Sequence, residues 1–150
     1  MEDIRITFET AKLAKKKGFD IKGQNVFDLK NNNKIINFKD LAIQEFIDDV
    51  ETAGYLDKAF NYLKEDINRT DDNSDKDYYL LAPTQSLLSK WLREKHNIIV
   101  LVDYEGIDGY YYKYYYYINE VQKYDASGKN YITFEEAYEI GLQEALKLIN

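Results

Sequence analysis

The stretch NIIVLVDYEGIDGYYYKYYYYIN, residues 97–119, decides the fold of this chain. It opens on an unbroken apolar run, residues 98–102, which is typical of a strand that is central in its sheet and covered on both faces. A polar segment, residues 103–109, follows and predicts a turn. Seven of the next eight residues, 110–117, are tyrosines, and Lys113 is the exception. Because tyrosine favours strands, this tract is predicted to be the next strand of the sheet.

Strand alternation divides the tyrosine tract between two faces. The more apolar face is predicted to pack under helices and consists of Tyr110, Tyr112, Tyr114, Tyr116 and Ile118. The other face is predicted to meet water or a partner protein, since exposed tyrosines are favoured at interfaces. Its candidate partner-binding residues are Tyr111, Lys113, Tyr115 and Tyr117, followed by Asn119. Cross-strand tyrosine pairs also stabilise a sheet without any ligand, and this alternative stays open.

Three segments outside the tract carry the start and stop signals of helices. Thr7 is a suitable N-cap, and Thr133 forms a T-x-x-E capping box with Glu136. The helix between them starts at Pro83, the only proline, and ends near Asn97, a residue that tolerates the left-handed conformation. All three helices are predicted to pack on the sheet.

The segment between the helix that Thr7 caps and the helix that starts at Pro83 is predicted to contain four further elements. Three asparagines at 31–33 lie between apolar runs and predict a β-hairpin. Residues 39–68 carry two amphipathic stripes that favour an αα-hairpin, residues 68–77 form an exposed loop, and residues 78–81 form a short strand. We therefore predict a single α+β domain over residues 1–150, with a small, mainly antiparallel sheet, helices packed on one face and an αα-hairpin.

The overall composition narrows the classes of function. The chain has a formal net charge of -7, with 27 acidic and 20 basic residues, and a net negative field opposes binding to phosphate backbones. No nucleic-acid partner is therefore predicted. The start of the chain, MEDIRITFETAKLAKKKG, lacks the pattern of a signal peptide, and no apolar run is long enough to span a bilayer. We expect a cytoplasmic protein that does not bind membranes.

The residues that carry catalysis in other proteins are sparse. The chain has no cysteine, which excludes disulfides and thiolate chemistry. The single histidine, His96, falls in the last turn of a predicted helix, where the dipole favours a cation. Residues 125–136 imitate a calcium loop, but Lys129 and Asn130 replace an oxygen ligand and the glycine. We predict no catalytic residues, no metal site and no cofactor.

The segment APTQSLLSKWLREKHNI, residues 82–98, is the most distinctive part of the sequence. It resembles a motif of small, uncharacterised bacteriophage and prophage proteins of the gut Bacteroidetes type. FETAKLAKKKGFD near the start and FEEAYEIGLQEALKLI near the end resemble the same family. The resemblance implies a phage-encoded protein of the host cytoplasm and implies no activity. Residues 39–68 look longer than in the usual member, so the αα-hairpin is interpreted as an insertion.

The first functional hypothesis is a non-enzymatic accessory protein that binds a host or phage protein, with a homodimer also open. The second is a protein that sequesters a small anionic, nucleotide-like signal. Helix N-termini attract anions, and the candidate ligand-binding residues are Thr84, Gln85, Lys90 and Arg93. A third hypothesis, an acidic mimic of nucleic acid, is disfavoured by the 20 basic residues.

Overall fold

A computed structural model describes residues 4–21, 25–28, 32, 34–37, 79–118 and 120–150. The chain has an α+β fold, as predicted, and divides into two compact units. One unit combines Met1–Phe19 with Thr84–Asn150, and the other, Asp20–Pro83, lies between these two segments along the chain. The αα-hairpin predicted over residues 39–68 and the loop predicted over 68–77 lie outside the described residues. The single domain with an insertion therefore stays a prediction.

The described strands of the Asp20–Pro83 unit form an antiparallel sheet. They are β1 (Asn25–Asp28), β2 (Lys34–Asn37) and β3 (Tyr79–Leu81), in the order β2-β1-β3. Val26 pairs with Ile36 on one side and with Leu81 on the other. Asn32 has a φ of 53°, a conformation that asparagine tolerates. The β-hairpin and the short strand predicted from the sequence are confirmed.

Three helices belong to the other unit, and their ends follow the sequence signals. They are α1 (Phe8–Lys16), α2 (Gln85–His96) and α3 (Phe134–Lys147). The side chains of Thr7, Thr84 and Thr133 accept hydrogen bonds from backbone N–H groups in the respective first turns. Asn97 ends α2 with a φ of 54°. The predicted caps Thr7 and Thr133 are therefore confirmed, whereas α2 begins at Gln85 and not at the predicted Pro83, because Thr84 is its N-cap.

The second described sheet consists of three antiparallel strands. They are β4 (Ile99–Tyr104), β5 (Tyr110–Ile118) and β6 (Val121–Ala126), in the order β4-β5-β6. A short 3-10 helix, Gly106–Asp108, lies in the connection from β4 to β5. The two sheets of the described residues are separate, a division that strand alternation does not reveal.

The prediction that residues 98–102 form a central, doubly covered strand is wrong. β4 lies at the edge of its sheet, and β5 occupies the centre. Ile98 and Val100 are buried, whereas Ile99 and Leu101 are 39% and 42% exposed. An unbroken apolar run supplies apolar side chains to both faces of a strand, but helices cover only one face here. The second apolar face of β4 therefore remains uncovered by the described helices.

Helix α3 lies very close to the covered face of this sheet. A Cβ atom added at Gly141 would lie 2.8 Å from Cβ of Tyr112 and 2.9 Å from Cγ1 of Val100. Only a glycine permits this approach without displacing the strands. The buried apolar residues of this unit come from α1, α2, α3, β4, β5 and adjoining segments, and they include Ile6, Ala14, Leu88, Leu92, Ala137, Leu142, Ala145 and Leu146.

A buried polar cluster, here called the Glu139 cluster, joins the three helices. Its members are Thr7, Thr10, Gln85, Glu139 and Gln143. Oε1 of Glu139 accepts from the backbone N–H of Thr7 at 2.7 Å and from the hydroxyl of Thr10. Oε2 of Glu139 accepts from Nε2 of Gln85 at 3.0 Å, and Nε2 of Gln143 donates to the hydroxyl of Thr10 at 2.7 Å. These bonds fix the relative positions of α1, α2 and α3.

Candidate partner-binding face

The face of the β4–β6 sheet that is opposite the helices forms a continuous surface, here called the open face. The strand register places its residues in cross-strand rows. The open face consists of Ile99, Leu101, Asp103, Tyr111, Lys113, Tyr115, Tyr117, Gln122, Tyr124 and Ala126. Tyr117 is 54% exposed and Tyr124 is 66% exposed. Together with Ile99 and Leu101, they give the surface four exposed large apolar side chains.

The structure confirms the predicted division of the tyrosine tract. Tyr112 and Tyr114 lie on the helix side and are buried, and Tyr110 contacts the ring of Phe134 in α3 with centroids 6.3 Å apart. On the open face, Tyr111, Lys113 and Tyr115 are half-buried and Tyr117 is exposed. The candidate partner-binding residues therefore share one surface. Asn119 lies outside the described residues.

An ion pair occupies the middle of the open face. Nζ of Lys113 donates to Oδ2 of Asp103 on the neighbouring strand, and the hydroxyl of Tyr111 lies 3.4 Å from the same oxygen. The hydrogen bond from Lys113 holds the pKa of the Asp103 carboxyl below its usual value, and the same bond raises the pKa of Lys113. Both charges are thus satisfied within the chain, so the centre of the face is close to neutral.

Two rings stack across neighbouring strands on one side of this pair. Tyr115 and Tyr124 stack with centroids 5.9 Å apart, and Ile99 lies opposite Tyr115 on the other neighbouring strand. Aromatic pairs of this kind stabilise a sheet. The open face therefore presents aromatic and aliphatic side chains around a charge-paired centre, and aromatic residues are enriched at protein interfaces.

The opposite face carries phenols that are shielded from water. Burial, followed by the charges of Tyr131 and Glu144, raises the pKa of Tyr112 to about 12. The folded state therefore holds this proton more tightly than the unfolded chain, whose tyrosines titrate near about pH 10. Stability is unaffected below that pH. It falls as the pH rises from about 10 towards 12, by up to about 1.4 kcal/mol per pH unit for this group.

We expect urea denaturation followed by circular dichroism to show this alkaline loss between about pH 9 and about pH 11.5. Tyr112→Phe removes the phenol and is expected to reduce the loss. Tyr117→Phe, a change at an exposed tyrosine, is the matched control and keeps the wild-type slope. An unchanged slope in Tyr112→Phe contradicts the expected role of this proton.

An open groove of about 570 Å³ lies at one end of the open face. Its lining residues come from the β4–β5 connection, from β5, from the end of β6 and from the segment after it, and they are Glu105, Asp108, Tyr111, Ala126, Ser127, Gly128, Lys129 and Asn130. Tyr111 and Ala126 belong to both surfaces, so the groove continues the open face. Nδ2 of Asn130 donates to Oε2 of Glu105 at 3.2 Å, which orients that carboxylate.

The four predicted ligand-binding residues have different surroundings. Thr84 caps α2, and the backbone N–H of Gln85 already donates to the carbonyl of Ile4 at 2.7 Å. The side-chain amide of Gln85 is buried and donates to the carbonyl of Glu135 and to Glu139. Of the four residues, Lys90 and Arg93 are exposed, and both lie on α2. The N–H groups of Gln85 at the start of α2 therefore already donate to acceptors of the chain itself, which the sequence did not show.

His96, the only histidine of the sequence, is the last residue of α2 and lies within the described ranges. The imidazole of His96 lies against the ring of Trp91, with centroids 4.5 Å apart, and burial lowers its pKa. Within those ranges, no group of three or more histidine and carboxylate side chains is arranged to hold a metal ion. No described helix is both long and apolar enough to cross a membrane.

Sequence reasoning missed β6 and the groove. The strand alternates Val121, Lys123 and Asp125 with Gln122, Tyr124 and Ala126, so neither face shows an apolar pattern. The best indication of β6 in the sequence is that it directly follows the tyrosine strand. No protein-family model, curated protein or solved structure matches this chain. Its functional interpretation therefore rests on the open face, the groove and the sequence motif.

Proposed function

We propose that this chain is a non-enzymatic accessory protein that acts by binding another protein through the open face. The observation that carries the proposal is the exposure of Ile99, Leu101, Tyr117 and Tyr124 on one surface whose central charges are paired. Contiguous exposed apolar surface marks interaction sites, and tyrosine is enriched where proteins bind.

The biological setting belongs to the same proposal. The resemblance of residues 82–98 to phage and prophage proteins supports a phage-encoded chain that binds a host or phage protein in the host cytoplasm. Sequestration of a small anionic ligand receives less support. Gln85 is committed to the Glu139 cluster, and two carboxylates, Glu105 and Asp108, line the groove.

Replacing Leu101 with glutamate is expected to abolish partner binding, because it places a charge in the apolar part of the open face. Leu101 is 42% exposed, so the fold tolerates the change. The measurement compares proteins captured from lysates of infected gut Bacteroidetes cells by immobilised wild type and by Leu101→Glu. The captured protein is then purified and its affinity for each bait is measured directly.

The matched control is Ile132→Glu, which introduces the same charge at an apolar residue that is 88% exposed and lies outside the open face. This variant is expected to bind like the wild type, and all three proteins are expected to share one circular dichroism spectrum. A partner that binds Leu101→Glu as tightly as the wild type would show that the open face is not the binding surface.

A further inference from the structure

The charges around the open face differ from those at its centre. Glu105 and Asp108 line the groove at one end, and Glu120 is exposed in the β5–β6 turn at the other end. The groove contains one basic residue, Lys129, whose Nζ lies 5.2 Å from the centroid of the Tyr131 ring. Two carboxylates against one engaged ammonium leave the groove with a formal charge of -1.

We propose that the groove receives a cationic side chain of the bound protein, with arginine the best fit, while the apolar part of the open face packs against the residues around it. This inference rests on the proposed function and names the chemistry of the partner. It concerns the end of the surface where Tyr111, Glu105 and Asp108 meet.

The lining of the groove matches a guanidinium group in two ways. Glu105 and Asp108 offer carboxylate oxygens, which pair with the N–H groups of arginine in charge-assisted hydrogen bonds. Tyr111 offers an aromatic ring, and planar guanidinium groups stack on such rings. The hydrogen bond from Asn130 orients Glu105 before anything binds. An anionic ligand would instead meet two like charges.

A second copy of this chain is a poor occupant of the groove. The described basic residues of the open face and groove are both engaged, Lys113 with Asp103 and Lys129 with the Tyr131 ring. The open face has carboxylates at both ends, and each chain has a formal charge of -7. Two copies would repel each other along this surface, so a cation from a different protein fits the groove better than this same face of a second copy.

The test is a titration of the isotope-labelled protein at low salt, followed by amide chemical shifts of Tyr111, Ser127 and Gly128. The probes are Nα-acetyl-arginine amide and Nα-acetyl-citrulline amide, which share a shape and differ in charge. Saturable shifts are expected with the arginine probe, and binding of the citrulline probe is expected to be about tenfold weaker. Nα-acetyl-lysine amide should fall between them, since it lacks the planar group.

Variants of the groove carboxylates test whether their negative charge accounts for binding of the arginine probe. The double variant Glu105→Gln, Asp108→Asn removes both carboxylates from exposed positions. It is expected to bind the arginine probe about tenfold more weakly than the wild type does. The control is Glu120→Gln, which removes the same kind of charge about 20 Å away along the strand. It is expected to bind the probe like the wild type. Three results would contradict the proposal that a cationic side chain occupies the groove. They are equal binding of the arginine and citrulline probes, absence of chemical-shift changes, and wild-type affinity of the double variant for the arginine probe.

The two proposals fail in different ways. If Leu101→Glu loses the captured partner while the arginine probe does not bind, the open face is the binding surface and the partner is not anchored by a cation. If the captured partner binds Leu101→Glu as tightly as the wild type, the proposed function is wrong, whether or not the arginine probe binds. A self-association that is lost in Leu101→Glu would replace the foreign partner with a second copy.

Discussion

Replacing Glu139 with alanine is expected to lower the free energy of unfolding by about 3–5 kcal/mol. The carboxyl group is 7% exposed and accepts from Thr7, Thr10 and Gln85. Its removal takes this acceptor from the Thr7 N–H, the Thr10 hydroxyl and one N–H of Gln85, and a buried donor left without a partner costs about 1–3 kcal/mol. This is a large fraction of the total stability of a typical domain, about 5–15 kcal/mol.

Urea denaturation followed by the fluorescence of Trp91, the only tryptophan, measures this effect. The control is Glu136→Ala in the same helix, where the side chain is exposed and the expected cost is below about 1 kcal/mol. Equal stability of the two variants would mean that the Glu139 cluster does not hold the helices together.

Replacing Gly109 with alanine is expected to cost about 3 kcal/mol. Gly109 has a φ of 97° and a ψ of -141°, a conformation essentially restricted to glycine. A Cβ atom there would also collide with the backbone carbonyl oxygen of Tyr131. That oxygen accepts from the N–H of Tyr110 at 2.9 Å, so the added methyl group forces apart the bridge between β5 and the segment before α3.

Thermal unfolding measured by circular dichroism gives the size of this effect, with Gly128→Ala as the control. A Cβ atom at Gly128 meets nothing within 4 Å, and its backbone has no positive φ. Its expected change in stability is within about 1 kcal/mol and favourable in sign, because alanine restricts the unfolded chain. A Gly109→Ala variant as stable as this control would contradict the strained turn at the end of the open face.

The face that is available to a partner depends on the position of β4. Ile99 and Leu101 contribute exposed apolar side chains because β4 is an edge strand that helices cover on one side only. Had β4 been central and covered twice, these residues would belong to the core. The error in the sequence-based prediction thus concerns the residues that now carry the functional proposal.

Features that depend on neighbouring residues in the chain were predictable from the sequence. Thr7 and Thr133 cap helices, as predicted, because a short hydroxyl side chain reaches the N–H group three residues later. The tyrosine tract divides between two faces because side chains alternate along any strand. Both effects act over a few residues, so the sequence of those residues specifies them without knowledge of the rest of the chain.

Features that depend on which distant segments meet were not predictable in this way. The burial of Gln85 follows from Glu139, which lies 54 positions later in the sequence, and β6 is a strand because β5 offers it an edge. The groove arises where the β4–β5 connection meets the segment after β6. Strand order and side-chain cover are set by free-energy differences summed over the whole core. A local pattern therefore assigns side chains to a face, and packing determines whether that face is covered.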